Sequence, residues 1–403
     1  MVRIESATIR EIFDSRGQPT VEVDLRSGSL MARAGAPSGA STGSHEAQAF
    51  PHGGVEEAIR TFRSAVAPHL VGRDPADQVG LDRTLRELDG TENFNWIGGN
   101  VSTAVSLANA KLAALAANQP LFAFLARGTL PRKLPFPFGN VIGGGRHAVG
   151  GTTFQEFLVS SQGPSVAGNV AANCRVHRRV KQWLMERYPD QSLGRGDEGA
   201  WVARIDDEAA LSLLSSACQE VEADVGFLVR PAMDPAASEF YRDGVYRYPD
   251  RTLTPGQQID FLEELVRRYR VCMLEDPVEQ EDFAGFARLT QSLGASCMIV
   301  GDDIFVTNVK RLRRGIEMGA ANSVLIKPNQ IGTLTETQAA VTMAHAAGYS
   351  TIISHRSAET TDDTIAHLAV AFGCFGIKTG TVGGERLAKL NELIRIEEFL
   401  REH

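Results

Sequence analysis

The stretch SVLIKPNQIG, residues 323–332, places a buried strand directly before a lysine. Residues 324–326 are a short Val-Leu-Ile run of the kind that forms a buried strand. A lysine after such a strand has to reach water, bind an anion or give up its charge, because burying an unpaired ammonium is costly. Pro328 disfavours helical geometry at Lys327 and cannot donate to a central ladder, so the strand is predicted to stop there.

Five more short apolar runs end in the same way, in an ionisable residue. The six ends lie at Asp234, Glu275-Asp276, Asp302-Asp303, Lys327, His355 and Lys378. Successive ends are separated by 23 to 41 residues, which leaves room for one helix and its loops, and residues 254–269 and 333–347 have helical patterns. Repeated βα units of this size predict a parallel barrel whose C-terminal strand ends converge on one site.

Length and composition limit the classes of function. The 403 residues, 43% hydrophobic and 22% charged, suffice for one large domain and a smaller one. A net charge of -8 without a long basic run argues against nucleic acid as a partner. Five cysteines without a CxxC pair, and a start without an apolar signal core, predict a cytoplasmic protein with reduced thiols and no membrane span.

The character of the sequence changes near residue 130. Before it, residues 4–28 alternate as hairpin strands do, and residues 55–66 and 101–118 have helical patterns. The alternating prolines in residues 132–137 favour a linker over a sheet. We therefore expect an N-terminal domain at residues 1–130 and a C-terminal catalytic domain at residues 131–403.

The converging strand ends suggest a metal site. Asp234, Glu275 and Asp302 would project hard oxygen ligands from neighbouring strands, which suits Mg²⁺, although each alone could be a salt bridge or helix cap. Lys327 and Lys378 would face the same pocket. Beside a divalent cation, positive surroundings and desolvation favour a neutral amine, which can act as a general base.

Two further segments fit an anionic substrate. Residues 355–357, His-Arg-Ser, offer a guanidinium fork that can bind phosphate or carboxylate bidentately, or could simply be a paired strand end. Residues 38–43 are rich in glycine and serine, which suits a mobile lid, although an ordinary flexible turn has the same composition.

Motifs along almost the whole chain resemble the enolase family. The matching stretches are EIFDSRGQPTVEVD, APSGASTGSHEA, LDGTENF, QEF, GDEG, MDPAASEFY, LEDPVEQED, IVGDDIFVTN, LIKPNQIGTLTET, SHRSAET, IKTG and ERLAKLNELIRIEE. The resemblance implies an α/β fold with a small α+β N-terminal domain followed by a modified (β/α)8 TIM barrel. It also implies a lyase that uses two Mg²⁺ ions to convert 2-phosphoglycerate to phosphoenolpyruvate, and a homodimer or higher homo-oligomer formed through the N-terminal domain.

The resemblance assigns chemical roles to several residues. Lys327 would remove the proton next to the substrate carboxylate, and Glu198 would help hydroxide leave, with Glu156 beside it. Lys378 would hold the substrate carboxylate and its enolate-like intermediate together with the metals. The ligands of the first Mg²⁺ would be Asp234, Glu275 and Asp302.

Other matched positions would hold the substrate. Arg356 and Ser357 would bind the phosphate, and Ser41, in the closing loop, would help to bind a second Mg²⁺. The remaining pocket residues implied by the resemblance are His147, Gln155 and His355.

Several loops depart from the family pattern and leave the function open. The loop after Glu46 is shortened, Gly143 and Gly150 replace two asparagines around His147, and residues 381–386 are a shorter form that we associate with archaeal members. The chain could be an enolase that makes phosphoenolpyruvate. It could instead be a paralogue from phosphonate or phosphinate antibiotic biosynthesis, of the carboxyphosphonoenolpyruvate synthase type, that also takes a nucleotide-activated phosphonoformate. A non-catalytic binding protein with an enolase fold is the third possibility.

Overall fold

The structure is a computed structural model that describes residues 2–39, 43–128 and 133–403. Two predictions lie outside these residues. They are the role of Ser41 and the domain boundary between residues 130 and 131.

The N-terminal part begins with a three-stranded antiparallel sheet. Its strands are β1 (Ser6–Phe13), β2 (Pro19–Ser27) and β3 (Leu30–Gly35). The predicted hairpin is confirmed, and Val21, Val23 and Leu25 are fully buried. Asp24, on the opposite face, is also buried, because the guanidinium groups of Arg10 and Arg33 pair with it.

Helices follow this sheet in the chain. They are α1 (Gly54–Thr61), α2 (Gln78–Asp89), α3 (Gly99–Ala116) and α4 (Leu121–Leu125). The predicted helix at residues 55–66 is only partly regular, since α1 continues as a π-helical turn at Phe62–Val66 and a short helix at Ala67–Leu70. The longest of these four helices, α3, packs against β2 and β3.

The C-terminal part contains a closed barrel of eight strands. The strands are β4 (Phe136–Gly143), β5 (Glu156–Gln162), β6 (Leu228–Asp234), β7 (Met273–Glu275), β8 (Met298–Gly301), β9 (Ser323–Ile326), β10 (Ser350–Ser354) and β11 (Gly376–Lys378). β5 runs antiparallel to β4 and β6, every other adjacent pair is parallel, and β11 pairs with β4 to close the barrel. The predicted modified TIM barrel is confirmed.

Helices surround the barrel. They are α5 (Val166–Arg187), α6 (Asp207–Val225), α7 (Pro255–Tyr269), α8 (Phe283–Leu293), α9 (Val309–Met318), α10 (Pro328–Ile331), α11 (Leu334–Ala346), α12 (Thr364–Ala371) and α13 (Gly384–Glu402). Short strands at Gly194–Arg195 and Trp201–Val202 extend the sheet beside β4. Across the described ranges, no helix combines the length and apolar character needed to span a bilayer.

Two sequence predictions at strand boundaries have opposite outcomes. β9 ends at Ile326, as predicted from the proline that follows Lys327, and Pro328 is the first residue of α10, a position that proline favours. The expectation that prolines 135 and 137 belong to a linker is wrong for Pro137, which lies in β4 opposite Ile377. Pro137 is tolerated because it is the second residue of its strand, where the ladder has just begun.

The barrel interior is apolar below the strand ends and polar above them. The apolar layer consists of Phe138, Leu158, Ala232, Met273, Val300, Leu325 and Ile352. The N-terminal part contacts the polar end of the barrel, where Ser38 pairs with Ala358 and Asn329 donates to the carbonyl of Pro37. The loop after β3 thus lies at the barrel mouth.

Candidate active site

A cavity lies at the polar end of the barrel. It is lined by the following residues that the sequence predicts for the site: His147, Gln155, Glu156, Glu198, Asp234, Asp302, Lys327, His355, Arg356, Ser357 and Lys378. Glu275 lies just beneath them and contacts Lys378. The fold therefore gathers every described residue of the predicted set at one place.

Strand register explains how these side chains meet. Glu156 begins β5 and stands opposite Asp234, which ends the antiparallel strand β6. Glu275 and Lys378 each end a parallel strand. The carboxyl ends of parallel barrel strands open on the same face, so these four groups converge.

Lys378 is the electrostatic centre of the cluster. Its Nζ lies 2.7 Å from Glu275 Oε2, 3.1 Å from Glu156 Oε1 and 3.2 Å from Asp234 Oδ2. Burial lowers the pKa of Lys378, but the three carboxylates outweigh burial and raise it. One ammonium cannot neutralise three carboxylates, so burial and mutual repulsion raise the pKa of both Glu156 and Glu275.

Lys327 forms a second ion pair, with Asp302. Gln330 Nε2 donates to the other carboxylate oxygen of Asp302 at 2.8 Å. Burial is the largest single influence and lowers the pKa of Lys327, but the neighbouring carboxylates, chiefly Asp302, together outweigh it and the pKa is raised. The predicted neutral amine applies to a site with a divalent cation beside Lys327, and it stays a prediction.

Glu156 and Glu198 face each other across the cavity beside two histidines. The atoms of His147, Glu156 and Glu198 that could ligate a metal ion lie within 4.8 Å of one another. Asn140 Nδ2 donates to Glu198 Oε2 at 3.1 Å, and His355 Nε2 lies 3.3 Å from Glu198 Oε1. Burial raises the pKa of Glu198, but the histidines outweigh burial and the pKa is lowered, whereas that of Glu156 is raised. The pKa values of the two carboxyl groups are thus displaced in opposite directions.

Arg356 is buried at the opposite wall. Its Nη2 lies 2.8 Å from Glu46 Oε2, and its Nη1 donates to Asn329 Oδ1 at 3.0 Å. The predicted anion fork thus already binds a carboxylate of its own chain. Glu46 follows the glycine-rich segment, so the guanidinium links the barrel to the loop over its mouth.

The donor set suits divalent cations. Seven carboxylates at the cavity are buried: Glu156, Glu198, Asp234, Glu275, Asp276, Asp302 and Asp303. The cations that face them are the buried Lys378 and Arg356 and the half-buried Lys327. Oxygen atoms of Asp276, Asp302 and Asp303 also lie within 4.8 Å of one another. An excess of buried negative charge built from oxygen donors fits Mg²⁺.

The cavity also contains polar atoms suited to a ligand. His147 Nδ1, Gln155 Oε1, Glu156 Oε2 and His355 Nε2 are buried and lack a hydrogen-bond partner among the described residues. Buried polar groups are normally paired, and concentrations of unpaired ones are expected where a substrate binds.

Sequence reasoning missed several residues of the site. Glu46, Asn140 and Arg386 contact predicted residues but had no assigned role. Asp276 and Asp303 were noticed only as neighbours in acidic pairs. The backbone N–H groups of Asp302 and Asp303 donate to Asp276, at 3.0 and 2.8 Å, which gives that second carboxylate a positional role. The doubled acidic residues after two successive strands were the available signal.

Comparison with known proteins identifies the family. Residues 4–125 match the family described as "Enolase, N-terminal domain", and residues 131–403 match "Enolase, C-terminal TIM barrel domain". A protein named enolase from Methanothermobacter thermautotrophicus is 50% identical over 98% of this chain and 96% of its own. The enolases of Archaeoglobus fulgidus (50%) and Natronomonas pharaonis (49%) align over 98% of this chain and over 98% and 99% of theirs. This chain belongs to the enolase family.

Proposed function

We propose that this protein is an Mg²⁺-dependent lyase that removes the α-proton of 2-phosphoglycerate and eliminates water to give phosphoenolpyruvate. The observation that carries the proposal is the shared cavity of a lysine, two unlike carboxyl groups and a buried guanidinium in a member of the enolase family. A proton acceptor, a proton donor and an anion-binding group are the protein groups that such a reaction needs.

Lys327 is the proposed base. It becomes competent when its proton is lost, and the ion pair with Asp302 is the interaction that opposes this. Binding of a divalent cation by Asp302 would occupy that carboxylate and place positive charge beside the amine, both of which lower its affinity for a proton. Lys327 then accepts the α-proton, and the electron pair of the C–H bond passes toward the substrate carboxylate.

Glu156 and Glu198 are the proposed acid pair. The hydroxide on the β-carbon leaves as water when it receives a proton from this pair, and the electron pair then forms the double bond. Because the carboxyls lie close together and have pKa values displaced in opposite directions, they share a proton, which burial favours on Glu156. His147 and His355 face the same oxygens.

The substrate's two anionic groups have separate proposed partners. Arg356 and Ser357 bind the phosphate, in which case the phosphate displaces Glu46 from the guanidinium. Lys378 binds the carboxylate end. Gln155 lies in the same cavity, and its free oxygen can accept from the substrate hydroxyl. Ser41 is proposed to join the loop that closes over the substrate.

Asp234, Glu275 and Asp302 are proposed to hold the first Mg²⁺, and Ser41 to assist the second. Removing a proton next to a carboxylate leaves a dianion, and Mg²⁺ would supply positive charge where that negative charge develops. The carboxylate excess at the cavity supports this assignment.

The other two hypotheses have less support. The relatives named above carry the name enolase, and the alignments cover 96 to 99% of their own length. This chain is therefore nearly as long as these enolases, and its shortened loops do not indicate another reaction. A nucleotide-activated phosphonate therefore has no supporting observation. A non-catalytic role is disfavoured because the described lysines and carboxyls of the proposed mechanism are all in place.

We also propose a compartment and an oligomeric state for the protein. Five cysteines are unpaired, which favours a reducing compartment such as the cytoplasm. A homodimer or higher homo-oligomer follows from family resemblance, and light scattering of the purified protein tests it.

An absorbance assay tests the proposed activity. Purified protein is mixed with 2-phosphoglycerate and Mg²⁺, and formation of the enolpyruvate is followed over time beside Lys327→Ala. Turnover that is lost in the variant and on addition of a chelator supports the proposal. A wild-type protein that binds Mg²⁺ but makes no product contradicts it, and addition of a cytidylyl-activated phosphonoformate then tests the paralogue hypothesis.

A further inference from the structure

Arg386, in the first turn of α13, is completely buried beneath the active site and has no role in the mechanism above. Its Nη1 donates to His355 Nδ1 at 2.8 Å and to the carbonyl oxygen of Arg356 at 2.6 Å. Its Nη2 donates to the carbonyl oxygens of Ser357 at 2.6 Å and Asp197 at 3.2 Å. One side chain thus contacts both loops that carry the substrate-facing residues.

The contact with His355 determines the position of a proton. A guanidinium only donates hydrogen bonds, so the Nδ1 atom that it contacts must carry a lone pair. A neutral imidazole then has its proton on Nε2. That nitrogen lies 3.3 Å from Glu198 Oε1 and forms no hydrogen bond to a described residue. Arg386 therefore directs an N–H group toward the carboxyl pair of the cavity.

The carbonyl contacts hold two loops at a fixed separation. Asp197 precedes Glu198, and Arg356 and Ser357 follow β10. These loops come from different parts of the barrel, and Arg386 bridges them with its two terminal nitrogens. The site around its stem is tight, since a Cβ atom at Gly380 would lie 3.2 Å from Arg386 Cγ.

We propose that Arg386 is a positioning residue that holds His355 in the Nε2–H tautomer facing Glu198. It also keeps the loop that carries Glu198 at a fixed distance from the loop that carries Arg356 and Ser357. Its catalytic part rests on the proposed function, because the reacting groups that it positions are those of 2-phosphoglycerate dehydration. It acts through His355 and the loop carbonyls and does not itself touch the cavity.

A neighbouring lysine provides a matched control. Lys389, one turn further along α13, is 1% exposed and also forms a buried ion pair, with Glu359 at 2.8 Å. Lys389→Met therefore removes a buried cation from the same helix without removing a partner of His355. A loss of stability without a change at His355 is expected for this control.

The experiment is long-range ¹H–¹⁵N NMR of the histidine rings, with His355→Gln to assign the His355 signal. Wild-type protein and Lys389→Met should show His355 as the Nε2–H tautomer. Arg386→Met should show a mixture of tautomers. It should also show protonation of the ring at higher pH than in wild type, because the buried guanidinium no longer opposes it. An unchanged Nε2–H tautomer in Arg386→Met overturns the proposal.

The second readout is the dependence of kcat on pH. Arg386→Met should lower kcat about 100-fold, the scale of general acid–base effects, and add an acid limb to the profile that Lys389→Met lacks. Arg386→Gln also removes the charge and is too short to span both loops, so it should show the same signature if Arg386→Met does not fold. An unchanged profile in a folded variant contradicts the proposal. Failure of the wild-type chain to dehydrate 2-phosphoglycerate would refute the proposed function alone, because the NMR result is independent of turnover.

Discussion

Replacing Lys378 by methionine should destabilise the protein, and by an amount that depends on pH and Mg²⁺. The Lys378 ammonium is fully buried among Glu156, Asp234 and Glu275, at 2.7 to 3.2 Å. Removing one partner of a buried ion pair costs about 3–5 kcal/mol. A chain of 403 residues has an unfolding entropy of about 0.85 kcal/mol/K near its melting temperature. The expected fall in melting temperature is therefore about 4–6 °C.

Two conditions separate this effect from simple loss of packing. The pKa values of Glu156 and Glu275 are raised, and both carboxylates are harder to leave unpaired when they are ionised, so the difference from wild type should be larger at pH 8 than at pH 5.5. Mg²⁺ at about 100 times its Kd stabilises a native site by about 2.7 kcal/mol, or about 3 °C for this chain. The gain should be greater in Lys378→Met, where no ammonium competes for the same oxygens.

Differential scanning fluorimetry with and without Mg²⁺ measures both effects, with Lys389→Met as the control. Lys389 is equally buried but pairs with a single carboxylate outside the cavity, so its loss in melting temperature should not respond to Mg²⁺. A Lys378→Met protein within 1 °C of wild type at pH 8 would refute the reasoning, and so would an equal Mg²⁺ response in both variants.

Three other predictions concern separate parts of the chain. Burial lowers the pKa of His177 to about 4, so its contribution to the free energy of unfolding is complete above pH 6.5 and is lost toward pH 4. Over that range the wild-type protein should lose about 3 kcal/mol of stability that His177→Gln retains, and melting temperature measured against pH tests this. Asp82→Ala leaves the buried hydroxyl of Ser106 and the half-buried hydroxyl of Thr335 without their acceptor, and thermal melts should show a loss of about 1–3 kcal/mol. Arg356→Met should lower kcat/KM for 2-phosphoglycerate about 100-fold or more in steady-state assays, since charged hydrogen bonds contribute about 1.5–3 kcal/mol each, and a normal value would exclude phosphate binding there.

Much of the fold followed from short-range patterns. Alternation at Val21, Val23 and Leu25 identified the hairpin, and ionisable residues after apolar runs identified six strands of the barrel. Both signals are local, because side-chain periodicity depends only on the strand itself. The antiparallel direction of β5 was not predicted, since strand direction is decided by pairing between distant segments.

The residues of the site were predicted, but several of the contacts between them were not. Asp234, Glu275 and Lys378 were expected together, and their strand ends bring them together. The raised pKa of Lys327, the pairing of Arg356 with Glu46 and the contact of Arg386 with His355 were not foreseen. Each depends on contacts between residues far apart in sequence, which spacing along the chain does not encode.

The most direct test of the account is exchange of the α-proton of 2-phosphoglycerate in D₂O, followed by NMR beside product formation. In wild type with Mg²⁺ we expect both exchange and elimination. Lys327→Met should lose both, whereas Glu198→Gln should keep exchange while losing elimination, since Lys327 removes the proton and the Glu156–Glu198 pair releases water. Exchange that persists in Lys327→Met would contradict the assignment of this lysine as the base.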